Sequence, residues 1–284
     1  MSAKRKGRAK DRRAIYILPN TFTTLSLFAG FYSIVAAIQG HYTYAAAAIL
    51  IAAVCDALDG TVARMTGTTS RFGVEYDSLC DLVSFGVAPA VLVYLWALKP
   101  GKLSFLNQIT PDDKTMTLGM LAAFIFLACG ALRLARFNVS AGHRDPGFFQ
   151  GLPIPGGAAL IAAAVLWHYR APNALPYVPN SLFTLLLVIL LAFLMVSNLD
   201  YFSLKHRVIL KNNHPFETLV LLILILAVVI VKAKTVLLPI GLVYIASGPI
   251  VTVVRGTRRG SSPPAPPGQT PAEKTGERGE ENSP

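Results

Sequence analysis

Cys55-Asp56-Ala57-Leu58-Asp59-Gly60-Thr61-Val62-Ala63-Arg64, followed by Gly73, Asp77 and Asp81, is the stretch that decides how this chain is read. It sets four carboxylates in or beside two long apolar runs, where an unpaired charge costs at least a few kcal/mol. On a helix, Asp56 and Asp59 lie three apart and Gly60 and Ala63 continue the same face. Asp77 and Asp81 lie four apart on the next segment. Two acidic faces can therefore meet inside a set of apolar helices.

The surrounding composition fits that setting. Of 284 residues, 53% are hydrophobic and only 14% are charged, against roughly 25% in an ordinary soluble domain. Several segments reach the roughly 18 to 20 apolar residues that a spanning helix requires. The expectation is an all-α, polytopic transmembrane bundle of about eight spans, at about 20–38, 43–64, 77–98, 116–136, 156–169, 181–199, 216–231 and 235–254. The shortest, 156–169, is flanked by Pro153, Pro155 and Pro172, so six or seven spans stay open. Three parts follow: a basic N-terminal segment 1–14, a transmembrane domain 15–254 and a disordered tail 255–284, which is rich in Pro, Gly, Ser and Glu.

Charge sets the orientation. The formal charge is +11, but the basic residues form short clusters between apolar runs, which points to anionic membrane lipid as partner and not to nucleic acid. Lys4, Arg5, Lys6, Arg8, Lys10, Arg12 and Arg13 precede a long apolar run with no cleavage-site pattern, which argues against a cleaved signal peptide. With the N-terminus inside, all of the 26 Lys/Arg except Lys99, Lys102, Lys114, Arg170, Lys232 and Lys234 fall on the inner side. Both termini and the turn between Asp59 and Gly73 are therefore expected at the cytoplasmic face of the cell's inner or plasma membrane. Cys55, Cys80 and Cys129 lack metal-type spacing and read as small core residues. His41, His143, His168, His206 and His214 have no ligand spacing with one another and read as interfacial.

Four carboxylates at close quarters repel unless some are protonated or a cation sits among them. Oxygen ligands without nearby His or Cys favour a hard divalent ion, Mg²⁺ or Mn²⁺. A pair of such ions is the usual clamp on a phosphorus centre. Gly60 and Ala63 leave room for a ligand beside the carboxylates, or else serve tight helix packing. Arg64 reaches a diphosphate, or else snorkels to the headgroups. The turn Thr66-Gly67-Thr68-Thr69-Ser70-Arg71 is polar and flexible enough to form a lip over a ligand.

These residues fit the pattern D-x2-D-G-x2-A-R-x8-G-x3-D-x3-D with every fixed position filled, and the stretch resembles the signature of the CDP-alcohol phosphotransferases. The resemblance implies a membrane enzyme that transfers a phosphoalcohol from a CDP-linked donor to an acceptor hydroxyl, releasing CMP. It implies that Asp56, Asp59 and Asp77 bind metal, with Asp81 beside the metal as the catalytic general base. The CDP-lipid site would be lined by Asp59, Gly60, Ala63, Arg64 and Gly73, with Gly67 of the turn. Asn20 would be a further phosphate or nucleotide contact, or else a helix cap beside Pro19. A homodimer is also implied.

Leu18-Pro19-Asn20-Thr21, Arg133-Leu134-Ala135-Arg136-Phe137-Asn138, Phe149-Gln150-Gly151-Leu152-Pro153-Ile154-Pro155 and Met195-Val196-Ser197 with Lys205 resemble the phosphatidylserine synthase branch of that family. The resemblance covers roughly residues 15 to 210. It implies CDP-diacylglycerol as donor and L-serine as acceptor. Arg133 and Arg136, three apart at a helix end, can point to the same side and hold an acceptor carboxylate, or else act as positive-inside anchors. Two arginines would equally suit glycerol 3-phosphate or inositol phosphate as acceptor. A cation transporter, the rival from another class, would spread its acidic residues across the membrane instead of clustering them beside Arg64.

Overall fold

The computed structural model describes residues 3–66, 70–100, 102, 112–139, 148–170, 180–202 and 237–249. Among these the chain is helical apart from one short ladder. The helices are α1 (Ala3–Ile38), α2 (Tyr42–Thr66), α3 (Arg71–Leu98), α4 (Asp112–Val139), α5 (Ile154–Arg170), α6 (Asn180–Val196) and α7 (Leu237–Pro249). Four stretches are long and apolar enough to cross a membrane: Asn20–Ile38, Tyr42–Val62, Arg71–Leu98 and Thr117–Val139. The expected spans at 20–38, 43–64, 77–98, 116–136 and 156–169 each fall on a described helix, and those at 181–199 and 235–254 coincide in part with α6 and α7. The span expected at 216–231, the tail 255–284 and the turn residue Gly67 lie outside the described residues.

Small residues decide how α1, α2 and α3 pack. Ser26, Ser33 and Ala37 of α1 are buried, as are Ala45, Ala46, Ile49 and Ala52 of α2. Stripes of this kind let helix backbones approach closely in a medium that offers no hydrophobic drive between helices. A Cβ on Gly30 would lie 2.6 Å from Cα and Oγ of Ser84, so α1 and α3 cross almost backbone to backbone. Hydroxyls stitch the three together: Ser84 Oγ donates to the Ser26 carbonyl at 3.0 Å and Ser26 Oγ donates to the Ala52 carbonyl at 3.0 Å.

The α1–α2 connection is a Schellman closure. The Gly40 N–H donates to the Ala37 carbonyl at 3.1 Å and the His41 N–H to the Ala36 carbonyl at 2.8 Å, with Gly40 at φ 81°. Helix α3 begins at Ser70, whose extended backbone (φ −125°, ψ 153°) and side chain cap the Gly73 N–H. Within α3, Leu82–Val87 and Tyr94–Leu98 widen into π-helical turns. Pro89 explains the first: its ring would collide with the Phe85 carbonyl in a regular helix, and the wider turn relieves the clash.

Helix α5 is the short span of the sequence reading. Gly157, Ala158 and every residue from Leu160 to Leu166 are buried. A helix that is apolar all round belongs in the centre of a bundle. Its Gly157 fits against the Met195 methyl group of α6 and Phe126 of α4.

One departure from the all-α expectation lies at the end of the bundle that carries the aspartates. Phe148–Gln150 (β1) and Asp200–Phe202 (β2) pair antiparallel, with Phe149 opposite Tyr201. Gly151, at φ 75°, turns the chain so that its N–H reaches the Leu199 carbonyl at 2.9 Å, while the Leu152 N–H reaches the Leu194 carbonyl at 3.0 Å. Tyr201 is fully buried against Tyr244 and Gly248 of α7. That burial pushes its phenol up to about 12, so the hydroxyl stays protonated near neutral pH and donates to the Ile245 carbonyl at 3.4 Å.

Substituting Gly30 by Val is expected to destabilise the protein by about 1–3 kcal/mol through overpacking against Ser84. Gly156→Ala, where the nearest atoms to a new Cβ are 3.9 Å away, should leave the unfolding transition in detergent unchanged or slightly raised. Equal effects at both positions would contradict the close crossing of α1 and α3.

Candidate functional site

The last turns of α2 carry Asp56 and Asp59, and the first turns of α3 carry Asp77 and Asp81. Because α2 ends and α3 begins at the same end of the bundle, the two acidic faces meet as the spacing predicts. One carboxylate oxygen from each of Asp56, Asp59 and Asp77 lies within 4.8 Å of the other two. Asp59 is only 5% exposed, and Thr23 Oγ1 of α1 donates to its Oδ2 at 2.7 Å. Asp81, one turn further along α3, is not part of the three-oxygen group. It feels Asp56, Asp77 and Asp59 as repulsive charges and Arg133 as an attractive one.

The donor set fits a hard divalent cation. Three carboxylates with no imidazole or thiolate among them suit Mg²⁺ or Mn²⁺ rather than zinc. Cys55 and Cys80 are buried nearby as free thiols outside the group, and Cys129 is half-buried and free. Repulsion among the three carboxylates is what a bound cation would remove.

Beside the aspartates, α1 brings Asn20 and Thr24 against the first turns of α3. Asn20 lies inside α1 and not at its start, so it is no helix cap. Its Oδ1 faces Gly73, where a Cβ would lie 3.9 Å from it and 3.1 Å from Ser70 Oγ. Thr24 Oγ1 donates to the Asn20 carbonyl at 2.7 Å and shares a 3.0 Å hydrogen bond with the Tyr76 hydroxyl. The Tyr76 ring stacks on Phe72 at 5.9 Å. Gly60 follows Asp59 on α2 and is half-buried. The backbone at Ala63 and Arg64 continues α2, but their side chains lie outside the described residues, as does Gly67 altogether.

The two arginines part company. Arg133 is buried, 8% exposed, with its charge acting on Asp81. Arg136 turns the other way: its Nη1 donates to the Val196 carbonyl at 3.2 Å and to Asn198 Oδ1 at 3.1 Å, and its Nη2 to the Ser197 carbonyl at 3.2 Å. Positions three apart differ by about 60° around a helix, and the carbonyl end of α6 draws the second guanidinium.

Sequence reasoning assigned no role to Thr23 or Ser78, nor to Asn138 beyond its place at the end of the Arg133–Asn138 stretch. Asn138 Nδ2 donates to Ser78 Oγ at 3.0 Å, and Ser78 lies between Asp77 and Asp81. Thr23 had a signal: it lies three residues after Asn20, so both share one face of an otherwise apolar span.

Comparison with known proteins places the four aspartates within a family match. The family model described as CDP-alcohol phosphatidyltransferase matches residues 16–182, which include all four aspartates. A protein of Helicobacter pylori named CDP-diacylglycerol–serine O-phosphatidyltransferase is 35% identical over 237 residues, covering 81% of this chain and 90% of its own length. One of the same name from Methanocaldococcus jannaschii is 40% identical over 153 residues, covering 54% of this chain and 61% of its own. An archaetidylserine synthase of Methanothermobacter thermautotrophicus is 33% identical over 186 residues, 65% of this chain and 69% of its own.

Removing the Thr23 hydroxyl should loosen Asp59. Thr23→Val is expected to weaken Mn²⁺ binding, read by electron paramagnetic resonance, about 10-fold, as for loss of a partner that orients a metal ligand. Thr23→Ser should restore it, and Asp59→Asn should weaken it further still.

Proposed function

This chain belongs to the CDP-alcohol phosphatidyltransferase family, and we propose that it transfers the phosphatidyl group of CDP-diacylglycerol to the hydroxyl of L-serine, giving phosphatidylserine and CMP. The convergence of Asp56, Asp59 and Asp77 carries the phosphotransfer reading. The choice of serine is supported by the names of relatives that cover most of the chain.

Asp56, Asp59 and Asp77, with Asp81 beside them, would hold Mg²⁺ or Mn²⁺. A divalent ion bound there would supply positive charge opposite the donor's diphosphate and the departing CMP. Gly73 lets the Ser70 cap and Asn20 Oδ1 lie close against α3, since a Cβ there would press on Ser70, and Asn20 would contact the nucleotide or its phosphates from that place. Gly60, half-buried on α2, would leave room for the donor, and Ala63 and Arg64, which fill their places in the family's signature, would complete the CDP-lipid site, the arginine as a charge partner for the diphosphate.

In the transfer step Asp81 accepts the proton of the serine hydroxyl. The serine oxygen bonds to the phosphorus that carries diacylglycerol, the bond from that phosphorus to the CMP oxygen breaks, and CMP leaves with the electron pair. Arg133, whose charge already acts on Asp81, receives the serine carboxylate through a charge-assisted contact. A carboxylate bound there sets the acceptor hydroxyl close to its base.

The site opens to the cytoplasm in this reading, as the positive-inside distribution indicates. Eight spans are supported by direction. Helix α6 ends beside β1 and β2, and α7 also ends there, with Gly248 against Tyr201. Two successive described helices that end on one side fit a bundle of eight spans.

Purified protein with CDP-diacylglycerol, Mn²⁺ or Mg²⁺ and a panel of alcohols should release CMP with L-serine. Release with glycerol 3-phosphate but not with serine would overturn the acceptor assignment. Asp81→Asn is expected to lower turnover by about 10²-fold or more while CDP-diacylglycerol still binds; unchanged turnover would remove the general-base role. Arg133→Gln should raise KM for serine about tenfold or more, the loss of one charge-assisted hydrogen bond, with a smaller effect on kcat.

A further inference from the structure

The C-terminal turn of α4 makes two sets of contacts that neither metal binding nor acceptor binding explains. At Asn138, Nδ2 donates to Ser78 Oγ at 3.0 Å and Oδ1 lies 3.4 Å from the same hydroxyl, which also donates to the Val74 carbonyl at 3.0 Å. Two residues earlier, Arg136 is bonded to the Val196 and Ser197 carbonyls and to Asn198. Its Nη2 also lies close to Gly151, where a Cβ would come within 3.1 Å of it. The turn is therefore held from both sides, by α3 on one and by the end of α6 with the β1–α5 corner on the other.

Ser78 is the residue after Asp77 and three before Asp81. A helix rotation that moved Ser78 away from Asn138 would swing Asp77 out of the three-oxygen group and Asp81 away from Arg133, because all lie within about one turn. The π-helical widening begins at Leu82, directly after this turn, so α3 is least regular next to the place where its rotation matters most. We propose that Asn138 is a positioning residue that, through Ser78, fixes the rotation of the α3 turn bearing Asp77 and Asp81, with Arg136 anchoring α4 to the end of α6 as the fixed point. This proposal rests on the reading of the aspartates as a divalent-metal site. It assigns Arg136 to the frame and leaves Arg133 as the arginine that meets the acceptor.

The test is a double-mutant cycle on full-length protein in detergent, with Mn²⁺ affinity read by electron paramagnetic resonance in the absence of donor and acceptor. Ser78→Ala and Asn138→Ala should each weaken Mn²⁺ binding about 10- to 100-fold, the range for partners that orient metal ligands. The double variant should be no worse than either single one, since both remove the same link. Ser78→Thr, which keeps the hydroxyl, should restore binding. In turnover, Asn138→Ala and Arg136→Gln should lower kcat while KM for serine stays within about twofold.

Additive losses in the cycle, or Mn²⁺ affinity unchanged in both single variants, would overturn the proposal. So would a serine KM that rises about tenfold in Asn138→Ala with Mn²⁺ binding intact, which would make Asn138 an acceptor contact. Because the Mn²⁺ measurement uses no acceptor, a wild-type enzyme that prefers another alcohol would overturn the serine reading alone. A wild-type protein that binds no Mn²⁺ would overturn the metal site and this proposal together.

Discussion

Repulsion among the carboxylates of Asp56, Asp59 and Asp77 is the constraint from which the rest of the structure takes its form. Three carboxylate oxygens within 4.8 Å of one another, one of them on the buried Asp59, repel strongly when ionised. The helices around this group are held together: α1 lies across α2 and α3, and α4 closes on α3 from the other side. Such repulsion is relieved when a carboxylate takes up a proton or when a cation sits among the three, and the all-oxygen donor set fits a divalent one.

Helix α1 is the bracket. It gives Asp59 a hydrogen bond through Thr23, accepts one from Ser84 of α3 and donates one to Ala52 of α2. Each such bond between membrane helices contributes only about 0.6 kcal/mol on average. Their effect lies in register more than in strength. With Gly30 pressed against Ser84, a slide of one helix along another would bring backbone into backbone, so the hydroxyls have only one alignment in which to pair.

Much of the site was legible because its determinants are local. The intervals between Asp56, Asp59, Asp77 and Asp81 are short enough for helical periodicity to put each pair on one face, and the ordered pattern with Gly60, Ala63 and Gly73 carried the family resemblance. The positions of Thr23 and Asn138 depend instead on which helices are neighbours, which no local pattern states. Arg133 and Arg136 show the limit of periodicity. Three residues apart they share a side of α4, yet one acts on Asp81 and the other reaches the end of α6, because long side chains follow the nearest negative potential and not the helix face alone. The β1–β2 ladder escaped for a related reason: three residues per strand carry no measurable alternation, and the pairing depends on the turn at Gly151.

The tight closure at Gly40 bears on the order in which the protein is made. Only Gln39, Gly40 and His41 separate α1 from α2, so the two helices form one antiparallel hairpin, whose residues are all synthesised before those of α3. Thr23 and Asp59 both belong to that hairpin. The most deeply buried acid of the cluster therefore has its hydrogen-bond donor on the preceding helix, already synthesised when Asp59 emerges. Asp77, on α3, is translated after both.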